Sequence, residues 1–204
     1  MEVLQFLVGH MKNFTYLVFD KDTAEAAAID PSYGSSELSK AIEERHLALK
    51  YILLTHHHFD HVMEAPLLKQ RKGGKIVVHQ SSPFEHDTAV GEGDKLKLGK
   101  ETLSVMHTPG HTADSVCYYT GKEVFTGDTL FVGECGRVDL EDSSPEDMYS
   151  SLLLKLSSLR DDVIVYPGHD YGTTPWSTIG REKRDNYTMR KRSLSEFLEF
   201  ITSP

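Results

Sequence analysis

Tyr51-Ile52-Leu53-Leu54-Thr55-His56-His57-His58-Phe59-Asp60-His61 is the stretch on which the reading of the chain turns. Its first four residues form an apolar run, the signature of a buried strand. Four histidines and an aspartate follow within residues 55–61. Neutral imidazole is the commonest protein metal ligand, and ligands fixed to the end of a rigid element keep a defined geometry. The stretch is internal, is interrupted by Phe59 and Asp60, and follows a strand. These features set it apart from an affinity tag or a solvated histidine patch. The expectation is a metal site at the end of a strand.

The other 193 positions are read against that expectation. A length of 204 residues suits one domain, or one domain with a small appendage. The composition, 39% hydrophobic and 26% charged, is that of an ordinary globular protein. A formal net charge of −9 argues against nucleic acid as a partner, because phosphate binding needs a basic surface. Met1-Glu2-Val3 does not open like a secretory signal, no apolar run approaches a membrane span, and two cysteines, Cys117 and Cys135, are too few for a disulfide framework. The expectation is a cytoplasmic protein with no membrane partner, as a monomer or homodimer.

Taken in order, residues 2–8, 14–19 and 24–29 read as strands, the last chosen over helix because short apolar runs between turn signals fit a meander. A helix capped by Ser35 or Ser36 runs to about His46. Strand 50–54 delivers the histidines, and a helix from Val62 to Gln70 ends at Gly73-Gly74. Strand 75–78 follows, then a polar loop over 80–94 and a hairpin through Leu96, Leu98, Leu103 and Val105. Strands at 115–120 and 122–126 come next. A helix opens at Ser144-Pro145 and carries Met148, Leu152, Leu153, Leu156 and Leu159 at helical spacing. The last strand is 163–166, and 178–204 reads as a tail of two short helices on a body spanning 1–177. In that tail Leu194, Phe197, Leu198 and Ile201 have amphipathic spacing behind Ser193.

Four strands each end in a polar ligand type: the His-rich turn, Pro109-Gly110-His111, Gly127-Asp128 and Pro167-Gly168-His169. Strands with mixed connections and helices outside suggest helix–sheet–sheet–helix layering. His56, His58, Asp60, His61, His111, Asp128 and His169 together suit zinc, iron or manganese without a thiolate. They are too many for one tetrahedral ion and divide into two sets. His56 and His58, alternate residues of an extended segment, clasp one ion; Asp60 and His61 reach a second; Asp128 bridges; His111 and His169 complete one shell each. His57 points away from its neighbours and reads as a supporting or packing residue. His10, His46, His79, His86 and His107 lack a motif and are left outside. Two ions sharing a carboxylate suit hydrolysis of an activated carbonyl or phosphoryl group.

The residues 55–61, the run His107-Thr108-Pro109-Gly110-His111-Thr112, Gly127-Asp128-Thr129-Leu130-Phe131 and Pro167-Gly168-His169 resemble the metallo-β-lactamase superfamily, over about residues 3–187. Within it the chain looks most like single-domain relatives of the hydroxyacylglutathione hydrolases (type II glyoxalases). The resemblance implies an α+β fold, a four-layer αββα sandwich of mixed sheets with the metal site at one edge. It implies that His56, His58 and His111 hold one metal, that Asp60, His61 and His169 hold the other, and that Asp128 bridges. It further implies thioester hydrolysis by a metal-bound hydroxide with two divalent ions, zinc first, and a small, possibly glutathione-linked thioester as substrate. In that picture Asp60 doubles as ligand and catalytic orienting group.

Some wording departs from that pattern. Type II glyoxalases carry a longer helical C-terminal domain, and residues 178–204 are expected to be too short to supply it. Cys135-Gly136-Arg137-Val138-Asp139 lacks the tyrosine expected after Cys-Gly-Lys. Arg137 remains the candidate substrate-binding residue, suited to a glycine carboxylate, and Cys135 reads as packing near the mouth of the site. Cys-Gly-Arg and Tyr166-Pro167-Gly168-His169-Asp170-Tyr171 also resemble the persulfide (sulfur) dioxygenases, in which a single Fe(II) would be held by His56, His111 and Asp128. Gly127-Asp128-Thr129-Leu130-Phe131 and Phe59 favour the hydrolase.

Overall fold

The run Ala26-Ala27-Ala28-Ile29 shows how the layers arise. In the computed structural model of the chain, which describes residues 1–202, it is a strand with both faces covered. Alternate residues of a strand point to opposite faces. Ala27 and Ile29 therefore join one buried cluster, and Ala26 and Ala28 another. A strand buried on both faces is apolar throughout, so propensity alone leaves it ambiguous. Strand partners on both sides settle it.

The first sheet has six strands in chain order: β1 (Glu2–Val8), β2 (Asn13–Phe19), β3 (Glu25–Ile29), β4 (Ala48–Leu53), β5 (Lys75–His79) and β6 (Thr88–Val90). β1 to β3 are antiparallel, and β3 to β6 parallel. The second sheet has β7 (Lys95–Leu98), β8 (Glu101–His107), β9 (Val116–Tyr119), β10 (Glu123–Gly127), β11 (Ile164–Pro167) and the two-residue β12 (Ser177–Thr178), also as neighbours in that order. Only the β10–β11 pair is parallel. Helices α1 (Ser35–Glu44) and α3 (Ala65–Lys72) cover the first sheet. Helices α4 (Pro145–Tyr149), α5 (Ile179–Asp185) and α6 (Leu194–Ile201) cover the second.

Three buried clusters correspond to the three interfaces of four layers. Phe14, Val18, Leu53, Leu103, Val105 and Phe125 lie between the sheets. Leu17, Ile52 and Val78 face Leu38, Ile42 and Leu68 of the first helical layer. Val124, Val163 and Val165 face Met148, Leu152 and Phe197 of the second. This is the expected α+β sandwich of mixed sheets. No described helix is long and apolar enough to cross a membrane.

Topology also places the functional end. β3 and β4 run parallel, as do β10 and β11. β8 is antiparallel to β9, and β9 to β10, so β8 points the same way as β10. The carboxyl ends of β4, β8, β10 and β11 carry the segments that contain all seven candidate ligands.

Several local expectations are corrected. The helix expected over Val62–Gln70 is two pieces, a single turn α2 (Phe59–Val62) and then α3, which has Pro66 in its first turn. Proline lacks the amide that a helix interior requires but suits a helix start. The polar segment 80–94 contains β6, whose Val90 reaches the inter-sheet core. The helix begun at Ser144 is α-helical only to Tyr149, widens into a π-helical stretch over Ser150–Lys155 and tightens to a 3-10 turn at Leu156–Ser158. The two tail helices are α5 and α6, with a 3-10 turn at Tyr187–Met189 between them; residues 203 and 204 of the 178–204 tail lie outside the described residues.

Helix α6 starts at a capping box in which Ser193 and Glu196 satisfy each other's backbone amides. Its Phe197 is fully buried and meets the Tyr149 ring edge-on at 5.6 Å. Phe197→Ala is expected to destabilise the chain by about 3–5 kcal/mol, the usual range for a buried phenylalanine. Denaturant unfolding monitored by circular dichroism checks this; a loss below 1 kcal/mol, roughly a surface effect, would contradict the anchoring role.

Candidate metal centre

Between β4 and α2 the chain bends at Thr55–His56, so His56 and His58 lie on non-helical backbone while Asp60 and His61 sit on one helical turn. That change of geometry splits the motif into two groups. His58 Nδ1 lies 3.1 Å from His56 Nε2 and 3.0 Å from His111 Nε2. His169 Nε2 lies 3.2 Å from His61 Nε2 and 3.4 Å from Asp60 Oδ2. Asp128 stands between the groups. One oxygen is 3.3 Å from His61 Nε2, and the other is 3.3 Å from His169 Nε2 and 3.6 Å from His111 Nε2. All seven side chains expected from the sequence thus converge, and all but His58 are buried.

The partners of the outer ring nitrogens define which lone pairs face inward. His61 Nδ1 donates to Asp30 Oδ2 at 3.0 Å, His111 Nδ1 to the Arg137 carbonyl at 3.0 Å, and His169 Nδ1 to the Met11 carbonyl at 2.9 Å. Thr55 Oγ1 donates to Asp30 Oδ2 at 2.6 Å, so it accepts from His56 Nδ1 at 3.1 Å. A neutral ring carries one proton. In its neutral form each of these four histidines therefore turns a bare Nε2 toward the centre, where nitrogens crowd to about 3 Å. Bare lone pairs at that distance repel unless a cation lies among them.

The carboxylate tells the same story. Asp128 is buried, and its Oδ1 has no hydrogen-bond partner. Burial disfavours its charge, but His61 and His169 outweigh this and hold the acid well below the usual carboxylate range. His61 is the reciprocal case: burial would lower it, yet Asp128 and Asp30 raise it well above an ordinary imidazole. At His56, burial and the neighbouring histidines outweigh Asp128 and push the ring well down. A proton on His61 and a metal ion beside Asp128 answer the same need for positive charge, so metal binding here displaces a proton. The donor set, imidazoles and carboxylates with no thiolate, fits Zn, Fe or Mn.

Two glycines make the approach possible. A Cβ on Gly136 would collide with the Asp128 carbonyl, and one on Gly168 with Asp128 Oδ1.

A family model described as the metallo-beta-lactamase superfamily matches residues 9–169. The chain belongs to the metallo-β-lactamase superfamily. Among relatives of this superfamily member, a hydroxyacylglutathione hydrolase of Hydrogenovibrio crunogenus is 40% identical over 163 residues. That match covers 78% of the chain but only 59% of the hydrolase, so the chain spans well under two thirds of that relative. The human mitochondrial persulfide dioxygenase ETHE1 is 33% identical over 92% of the chain and 75% of its own length. The crystal structure of ETHE1 from Myxococcus xanthus superposes with a TM-score of 0.93 at 33% identity, covering 100% of the chain and 92% of that structure.

Behind the ligands of this superfamily member stand residues that motif reading missed. Asp30 accepts from the Thr55 amide at 2.8 Å and the Thr55 hydroxyl, besides His61. Asn13 Nδ2 donates to Asp60 Oδ2 at 2.8 Å, and Ser32 Oγ donates to the Asp60 carbonyl. Asp30 follows β3 as Asp128 follows β10, and that shared position was the available signal. His57 fills the supporting role expected of it: its Nδ1 pairs with Asp114 Oδ1 at 2.8 Å, tying the His56–His61 segment to the loop that carries His111. Among the described residues, none of His10, His46, His79, His86 and His107 joins a convergent ligand group.

A cleft of about 870 Å³ opens beside the ligands and includes Arg137 and Cys135. The Arg137 carbonyl supports His111, while its guanidinium forms a two-point pair with Asp139 at 2.8 Å, both side chains about two-thirds exposed. Tyr171 stacks on His169 at 4.7 Å, and Phe131 meets the same ring edge-on. Cys135 packs as expected, and burial pushes both cysteine thiols up to about 12. At pH 8.5 roughly one such thiol in three thousand is ionised, against about half of ordinary ones. A colorimetric thiol reagent at that pH is expected to label neither cysteine quickly in the folded chain and both after denaturation. Rapid native labelling would contradict the burial.

Proposed function

We propose that the chain is a thioester hydrolase working with two divalent metal ions, zinc first among them, on a small acyl-thiol substrate of the hydroxyacylglutathione type. The observation that carries this reading is the second buried ligand group, Asp60, His61 and His169, joined to the first through Asp128. A second complete set of inward-facing donors supports a second ion.

His56, His58 and His111 would hold one ion and Asp60, His61 and His169 the other, with Asp128 shared. Such ions, when bound, would lower the pKa of a bound water and polarise a substrate carbonyl. The chain's own residues do the rest. Asp30, Thr55 and the Arg137 and Met11 carbonyls fix the ring tautomers, so that lone pairs rather than protons face the centre. Asn13 restrains Asp60, holding Oδ2 toward His61 and His169. Phe131 and Tyr171 wall one side against bulk solvent. The leaving thiol needs no strong general acid, since a cysteine-like thiol has a pKa near ~8.5. The compartment expected for this reaction is the cytoplasm.

A second reading is persulfide dioxygenation with one iron held by His56, His111 and Asp128. Its support is the similarity to ETHE1 along the full length of the chain, tail included. Metal analysis with a thioester and persulfide panel separates the two. Two ions per chain and hydrolysis of S-lactoylglutathione or a related thioester are expected. One tightly bound iron with oxygen consumption on glutathione persulfide would overturn the hydrolase.

A further inference from the structure

The cleft beside the ligands has a far wall that the metal-binding motifs do not explain. Phe131 and Tyr171 line it at the metal end, where both touch His169. Phe200 and Ile201 of α6, with Tyr187, line it at the other. Phe197 and the Ser193 cap fix α6 on the body, so residues three and four positions further on are carried on the same helix face to the cleft. Phe200 is held from two sides, by the Tyr187 ring at 5.5 Å and by the Arg192 guanidinium 4.1 Å above its face. The wall is therefore largely aromatic, held in place, and continuous from His169 to α6.

The charges at the rim do not suit a peptide anion. Among the cleft residues one cation, Arg137, faces two carboxylates, Glu134 and Asp139, and its guanidinium already meets Asp139 at two points. Arg192, close by, is spent on the Phe200 ring and the Tyr187 carbonyl. The chain as a whole carries −9. Glutathione brings two carboxylates and one ammonium, so its entry adds negative charge to a rim that is already net negative. An uncharged alkyl or aryl chain meets no such repulsion and gains from burial.

We propose that this cleft receives an apolar, uncharged chain of the substrate, with α6 as its far wall, in preference to the charged glutathione peptide. That the chain belongs to a thioester rests on the function proposed above.

The test uses the full chain loaded with metal. Thioethers cannot be hydrolysed, so their calorimetric affinities report the cleft independently of turnover. S-octyl-N-acetylcysteamine is expected to bind at least about tenfold more tightly than S-methylglutathione, since several methylenes are buried. Phe200→Ser and, as a gentler second variant, Ile201→Ser are expected to remove most of that advantage. Turnover of octanoyl-N-acetylcysteamine against S-acetyl-octanethiol then shows whether the chain enters on the acyl or the thiol side; a gain in kcat/KM over acetyl-N-acetylcysteamine for either supports the assignment. Tighter binding of S-methylglutathione, or octyl binding indifferent to both substitutions, overturns it. If the octyl thioether binds as expected but no thioester is cleaved, the hydrolase reading fails while the apolar cleft stands. If thioesters are cleaved with no preference for the longer chain and no octyl advantage in binding, the cleft assignment fails while the hydrolase reading stands.

Discussion

Asp128→Asn is expected to lower kcat/KM on the best thioester by at least about a thousandfold, because a shared charged ligand contributes several kcal/mol to transition-state charge stabilisation and each 1.4 kcal/mol is a factor of ten. Asparagine keeps the shape of the side chain but supplies one neutral acceptor where two anionic oxygens now face His61, His169 and His111. Both ligand groups lose their common counter-charge, so metal content is expected to fall below two ions per chain. Elemental analysis and steady-state kinetics on the same preparation check both parts. His56→Ala should behave similarly by removing a ligand from one group. Near wild-type activity with two ions still bound to the Asp128 variant would sink the bridging role.

Asp30→Ala tests the support behind the ligands, and its main effect should be on stability. Asp30 is 2% exposed, and its carboxylate accepts from the Thr55 amide, the Thr55 hydroxyl and His61 Nδ1. Alanine leaves three buried donors unpaired at a backbone φ of 47°, a region that suits Asp or Asn better than Ala. A loss of about 3–5 kcal/mol is expected, the range seen when one partner of a buried network is removed. Metal affinity should fall about 10- to 100-fold as well, because the His61 ring loses its orienting acceptor. Asp30→Asn, which keeps one acceptor oxygen, should lie between. Chemical denaturation of the metal-free chain and a competitive metal titration measure the two effects separately. A metal-free stability equal to wild type would show that Asp30 is not a structural centre.

The seven ligand candidates were legible because each lies within a few residues of a strand's end and belongs to a short motif. His56, His58, Asp60 and His61 even separate into their two groups by local geometry, a non-helical bend before Phe59 and a helical turn from it. Asp30 was not legible as part of the site. Asp30-Pro31 reads as a strand stop, and only the fold brings it to His61, 31 positions away. The break between α2 and α3 was locally signalled by Pro66, whereas β6 was hidden because a three-residue edge strand carries too little pattern. The change from α to π helix after Tyr149 keeps the apolar stripe of Met148, Leu152 and Leu156, so spacing does not reveal it.

By itself the sequence determined the set of candidate ligands, the strands that carry them and the layered α+β architecture. These rest on residue type and on periodicities of a few positions, and both are local. The tertiary structure decided what depends on distant partners. It brought His111 within 3.0 Å of His58 and His169 within 3.2 Å of His61 across separations of 53 and 108 residues. It turned the Nε2 atoms of His56, His61, His111 and His169 inward by giving each outer Nδ1 an acceptor. It set Arg137 against Asp139 and carried Phe200 of the tail to the rim of the cleft. No local pattern encodes such encounters, because they exist only once the strands are in register and the helices lie on the sheets.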